Sequence, residues 1–303
     1  MQRLDSETSE QYIWVNGLRV HYVRAGSGLP LLLIHGLVGS ARNWSHNIQA
    51  LASDAAVYAV DLPNMGESDR VPGLDASLEA NADRVAACMD ALGLAQADVA
   101  GHSHGGAIAM MLAARHSHRV RSLVLFAPAN PFCNLGRHLI RFYNTSLGKT
   151  LARLIPVLPN RLKATALGRM YGDPRRIKAG TLEGYIDGLA HPGTVDHVLQ
   201  IVQRWYDDMD RLRASLKQIV DKPTLLVWGD RDRAVGLPSG QKLHQMLPKS
   251  QLMVIPGAGH IAFEELPEIC NQAMRTWLAA PVAEAPAFAM RYTGSATRRL
   301  HTA

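Results

Sequence analysis

Only three cysteines, Cys88, Cys133 and Cys270, occur in 303 residues. So odd and sparse a set cannot build the disulfide framework of a small secreted domain, and a reducing, cytoplasmic setting is expected. Long apolar runs are missing too: no stretch nears the roughly 18 residues of a membrane span. Residues 1–10 carry Arg3, Asp5, Glu7 and Glu10 where a leader would need an apolar core, so neither a span nor a signal peptide is expected. Groove-reading and base-stacking motifs are also lacking, which argues against a nucleic-acid partner despite a net charge of +6.

What is present is ordinary globular composition, 47% hydrophobic and 19% charged, in a chain long enough to bury a core without disulfides or a structural metal. The charge is unevenly placed. Residues 131–220 hold 14 Lys and Arg against 7 Asp and Glu, and the rest of the chain is nearly neutral. Solvated helix faces account for such an excess most simply.

Short, uniformly apolar runs at 31–34, 57–60, 123–126 and 224–228 are expected as strands buried on both faces, hence a parallel sheet. Between them lie helical patterns such as Val85, Cys88, Met89 and Leu92, so the fold class is α/β with a mostly parallel central sheet. Residues 12–15 and 19–25, joined by Asn16-Gly17, predict an antiparallel hairpin with a type I′ turn at one edge. After residue 127 the alternation stops for about ninety residues, with helical patterns at 135–155, 162–171 and 194–212 broken by prolines. The expected organisation is therefore a core at 11–129, an inserted helical cap at 130–219, a second core part at 220–280 and a flexible tail at 281–303. No internal repeat is visible.

Gly101-His102-Ser103-His104-Gly105 follows an expected strand and opens an expected helix. This is the G-x-S-x-G pattern of a nucleophile elbow, where glycines allow close chain approach and the helix N-terminus favours developing negative charge. A serine nucleophile needs a histidine base oriented by a carboxylate. Downstream, Asp230 and Asp232 follow one strand and His260 follows the next, in the order serine, aspartate, histidine. All lie past strand C-terminal ends, where open α/β sheets place their sites.

Over roughly residues 11–280 the chain resembles the α/β-hydrolase family, in the subset with a serine nucleophile, esterase-like motifs and a helical cap. The resemblance implies Ser103 as nucleophile, His260 as base and Asp232 as acid, with Asp230 the runner-up. Leu33-Ile34-His35-Gly36-Leu37 is similar to the family's His-Gly oxyanion loop, which implies the backbone amides of Leu37 and His104 as oxyanion donors. Asp61 to Asp69 is similar to its D-x-P-x-x-G-x-S segment, although Asn64-Met65 replaces the common Gly-His. Epoxide hydrolases and haloalkane dehalogenases carry aspartate where Ser103 stands. Carbon-carbon hydrolases of ring-cleavage products usually have Asn before the serine and Trp after the histidine, where this chain has His102 and Ile261.

Plainer readings stand beside these. His35, His102 and His104 could suggest a metal cluster, but the Asp-His that would follow is Gly105-Gly106, and no metal is expected. Gly148-Lys149-Thr150 lacks the earlier glycine of a phosphate-binding loop. The stripe Val198, Ile201, Val202, Trp205 and Met209 reads as a helix face packed on the core. The expectation is a serine carboxylesterase of small or medium esters that needs no cofactor; the alternatives are a carbon-carbon hydrolase or amidase with the same triad, or a hydrolase-derived ligand sensor. Oligomeric state stays open.

Overall fold

The computed structural model describes residues 8–133 and 137–280. Its eight strands form one sheet in the order β1-β2-β4-β3-β5-β6-β7-β8. Strands β1 (Ser9–Val15) and β2 (Leu18–Ala25) make the edge hairpin, and Asn16 and Gly17 both take positive φ, 50° and 81°, as a type I′ turn requires. Next in chain order come β3 (Pro30–Ile34), β4 (Ala56–Val60), β5 (Ala97–His102), β6 (Val120–Phe126), β7 (Thr224–Gly229) and β8 (Ser250–Ile255). β2 pairs antiparallel with β4, and every pairing from β4 to β8 is parallel.

Because side chains alternate across a strand, the apolar runs feed two cores. Leu32, Ile34, Val99, Leu125 and Trp228 belong to one, with α2 (Leu78–Ala91) and α3 (His104–Arg115) packed over them. Leu31, Leu33, Val124, Phe126 and Val227 belong to the other. There Trp44, ahead of α1 (Ser45–Leu51), stacks on Phe263 with ring centroids 4.1 Å apart. Each fully buried side chain of this size contributes about 1.5–3 kcal/mol, so the sheet centre is the rigid platform of the molecule.

Between β6 and β7 stand α4 (Arg137–Tyr143), α5 (Ser146–Arg153), α6 (Asn160–Gly168), α7 (Thr181–Ala190) and α8 (Thr194–Ser215). The single helix expected over 135–155 is two helices, with residues 135 and 136 outside the described part. The break falls at Thr145, whose hydroxyl accepts the Gly148 amide at 3.0 Å and caps a new helix. Helix α7 lies outside the expected helical patterns; it carries Gly184 and Gly188 and starts after Gly180 at φ 82°. The α8 stripe packs as expected, since Ile201, Trp205 and Met209 join the core of α2 and α3. After β7 come α9 (Leu237–Met246), α10 (Ala262–Glu265) and α11 (Pro267–Ala279). The expected tail, 281–303, lies outside the described residues. No helix among the described residues is long and apolar enough to cross a membrane.

Candidate active site

Six parallel strands, β3 to β8, end on one sheet edge, so the loops that follow them converge there. Ser103 stands between β5 and α3 with φ 51° and ψ −118°, a backbone conformation costly for a residue with a Cβ. Two glycines make the turn possible. A Cβ on Gly101 would press on the Gly105 carbonyl and on Gly106 Cα at 2.8 Å, and one on Gly105 would collide with the Ile34 and His35 carbonyls. The Ser103 amide donates to the Phe126 carbonyl (3.0 Å) and its carbonyl accepts from Ala129 (2.8 Å), so the turn is held by backbone while its hydroxyl takes no partner among the described residues.

His260 and Asp232 meet across the loops after β8 and β7. The distance from His260 Nδ1 to Asp232 Oδ2 is 2.9 Å, and the carboxylate is fully buried. Asp232 Oδ1 accepts the amides of Ala234 (2.7 Å) and Val235 (2.8 Å), so both its oxygens are occupied and its orientation is fixed. Asp230 does something different: exposed, it accepts the Gly257 amide at 2.7 Å and ties the two loops together. The Leu37 amide, in the turn after β3, and the His104 amide, first of α3, take no acceptor among the described residues, which leaves two donors at the edge where Ser103 stands.

The other histidines separate into distinct tasks. His35 Nδ1 donates to the Gly36 carbonyl (2.8 Å) while Nε2 accepts the Leu62 amide (3.1 Å), so it is a neutral brace between two loops. His102 donates Nε2–H to the His260 carbonyl at 3.2 Å and packs between the rings of His260 and Phe263. Burial drives its pKa well below the usual histidine value, as befits a packed support. His104 is buried and, for the same reason, pushed down to about 3.

Four residues near the site have roles that the sequence does not assign. Asn64, at φ 66°, donates Nδ2–H to His197 Nδ1 on α8 (3.0 Å), and its carbonyl accepts Thr194 Oγ1 (3.1 Å). Burial lowers His197 to about 4, so it is neutral and its Nε2 carries the proton. Glu265, with no exposed side-chain surface, accepts the amides of Gly172, Asp173 and Gly259 at 2.8–3.0 Å and the Arg176 guanidinium at 3.0 Å. His260 in turn donates its amide to the Met170 carbonyl at 2.6 Å, so the turn after α6 is bolted to the histidine loop. Beside it, buried Glu264 accepts Tyr185 Oη at 2.7 Å and Tyr171 Oη at 3.1 Å. Asp61 explains its own motif: it accepts the amides of Ala41 (2.6 Å) and Glu67 (2.7 Å), and His21 Nδ1 lies 2.8 Å from it.

Burial, the main cause, pushes the Glu264 carboxyl from 4.5 up to about 7. A carboxyl whose folded pKa is raised contributes stability that is full below pH 4.5 and lost as pH rises through 7. Glu264→Gln cannot ionise, so its stability relative to the parent should rise between pH 5 and pH 8, by at most roughly 3 kcal/mol. Denaturant midpoints of both proteins at the two pH values check this, and a gap that does not change with pH contradicts it.

Comparison with known proteins supports the same fold. The family model of the alpha/beta hydrolase fold matches residues 30–267. The dihydrolipoyllysine-residue acetyltransferase component of the acetoin cleaving system of Pseudomonas putida is 31% identical over 252 residues, 83% of this chain, which spans 64% of that relative's length. The 2-hydroxymuconate semialdehyde hydrolase of Pseudomonas sp. (strain CF600) is 29% identical over 251 residues, 80% of this chain and 84% of the relative. Among solved structures, Cfl2 of Burkholderia cenocepacia superposes with a TM-score of 0.79 at 20% identity, covering 90% of this chain and 97% of that one, a likeness of fold alone. With its sheet order, its Ser103 elbow and a family match over most of its length, the chain belongs to the alpha/beta-hydrolase fold family.

Proposed function

We propose that this protein is a serine hydrolase that cleaves small or medium carboxylic esters through an acyl-enzyme on Ser103. The observation that carries the reading is the 2.9 Å pair of His260 Nδ1 and buried Asp232 on the sheet edge that holds the Ser103 elbow. Ser103 Oγ attacks the acyl carbon, His260 takes the hydroxyl proton at Nε2 and passes it to the leaving alcohol, and Asp232 stabilises the imidazolium. The Leu37 and His104 amides bind the tetrahedral oxyanion. Water, deprotonated by His260, then releases the acid and restores the serine. The segment 130–219 acts as a cap that closes the site, with its turn at Met170 and Gly172 anchored on the histidine loop.

Carbon-carbon hydrolysis is the second reading, and the 29% identical 2-hydroxymuconate semialdehyde hydrolase is what favours it. Against it stand His102 and Ile261, both buried beside the histidine loop. A panel of chromogenic esters of graded acyl length, run beside a 6-oxo dienoate ring-cleavage product, separates the two. Ester turnover that exceeds dienoate cleavage in kcat/KM supports the esterase; dienoate cleavage without ester turnover overturns it.

The basic helical segment adds a salt test. Arg153 pairs with Asp196, Arg176 with Glu265 and Arg211 with Glu79, while Arg141, Arg161 and Arg169 are exposed, so part of the charge is matched and part is solvated on outer helix surface. An ester bearing a carboxylate and its neutral isostere should therefore show the same salt dependence of kcat/KM as the Debye length shortens from roughly 30 Å to about 8 Å. A selective loss of the anionic ester's rate with salt contradicts this and shows steering by the segment.

A further inference from the structure

The helical segment bears an apolar face that the other described residues leave uncovered. On α5 and just beyond it, Leu147, Leu151 and Leu154 fall at i, i+4 and i+7 and share one side. They are 64%, 44% and 48% exposed. Val157, 78% exposed, and Leu158 continue the face on the next turn, and Leu162, 56% exposed, opens α6. Lys163 Nζ donates to the Pro156 carbonyl at 3.0 Å and ties the start of α6, with Leu162, to the turn that carries Val157 and Leu158. Soluble surfaces scatter large apolar residues singly; a run of six marks a face that binds something.

Charge selects the occupant. From Arg141 to Arg169 the sequence has six Lys and Arg and no Asp or Glu. Arg153 is matched by Asp196, whereas Arg141, Lys149, Arg161, Lys163 and Arg169 have no acidic partner among the described residues. A second copy packed on the same face would set these cations against their own kind, because a two-fold contact brings each patch onto itself. An anionic lipid surface satisfies both halves of the face: headgroups neutralise the cations, and the acyl boundary takes the leucines and valine. We propose that the α5–α6 face docks the protein on an anionic lipid surface, with Leu147, Leu151, Val157 and Leu162 in the acyl boundary and Lys149 and Arg161 over the headgroups.

Cosedimentation of the full chain with phosphatidylcholine vesicles, with and without phosphatidylglycerol, tests this at low and high ionic strength. The expected result is binding to the anionic vesicles alone, weakened by salt and lowered at least about tenfold in the Val157→Asp/Leu162→Asp protein. A Lys149→Glu/Arg161→Glu protein should lose binding severalfold without any change in apolar surface. Val157 and Leu162 are exposed, and none of the four side chains bonds to Ser103, Asp232 or His260 among the described residues, so soluble-ester turnover should match the parent in both variants and serves as the check on folding. The proposal is overturned if anionic vesicles bind no more protein than neutral ones, or if both variants bind like the parent. It is equally overturned if light scattering shows a dimer that Val157→Asp dissolves while the parent ignores vesicles, since the occupant is then a second copy.

Discussion

Replacing Ser103 with alanine is expected to lower ester turnover by on the order of 10⁴-fold or more, the loss that removal of the nucleophile causes in triad enzymes. The fold should survive the change. Alanine keeps the Cβ that already sits at φ 51°, so the strain of the elbow is unaltered, and the hydroxyl it removes makes no hydrogen bond among the described residues. Thermal unfolding close to the parent, together with rates at the uncatalysed level, is the expected pair of results. A variant that keeps a tenth of the parent rate would remove Ser103 from the mechanism.

Asp232→Asn should be nearly as damaging, by roughly 10³–10⁴-fold in kcat, and the reason lies in the hydrogen bonds of its carboxylate. Oδ1 accepts two amides, from Ala234 and Val235, while Oδ2 faces His260 Nδ1. An asparagine must leave its oxygen on the two amides and turn its NH₂ toward Nδ1. Nδ1 then has to accept, the proton moves to Nε2, and the imidazole cannot take the serine proton. Asp230→Asn keeps an acceptor for the Gly257 amide and touches nothing else at the site, so kcat/KM should stay within severalfold of the parent. If the Asp230 variant is the inactive one, the carboxylate has been assigned to the wrong residue.

The contrast between these two aspartates shows what the linear chain can reveal. Buried strands announce themselves through uniform apolar runs, and Leu31 to Ile34 and Thr224 to Trp228 are strands for that reason. The elbow is legible because its glycines answer to local sterics within five residues. Position after a strand could not separate Asp230 from Asp232, since both follow β7; only the path of the loop turns one toward His260 and the other toward the Gly257 amide. The pairing of Asn64 with His197 spans 133 positions and has no local pattern to betray it. Nothing local to Glu264 marks it in the sequence, because its raised pKa comes from tertiary burial, which outweighs the lowering effect of the hydrogen bonds from its two tyrosines. The leucines of α5 have the spacing of a core-facing stripe, yet the fold turns them outward.

The most direct test of the account is to catch the acyl group. The protein is mixed with a slowly deacylating chromogenic ester, quenched in acid during the first turnover, and its mass and peptides are read. The account predicts a mass gain equal to one acyl group, located on the peptide that carries Ser103 and missing from the Ser103→Ala protein. Ester turnover with no acyl adduct, or with the adduct on any other residue, would contradict it.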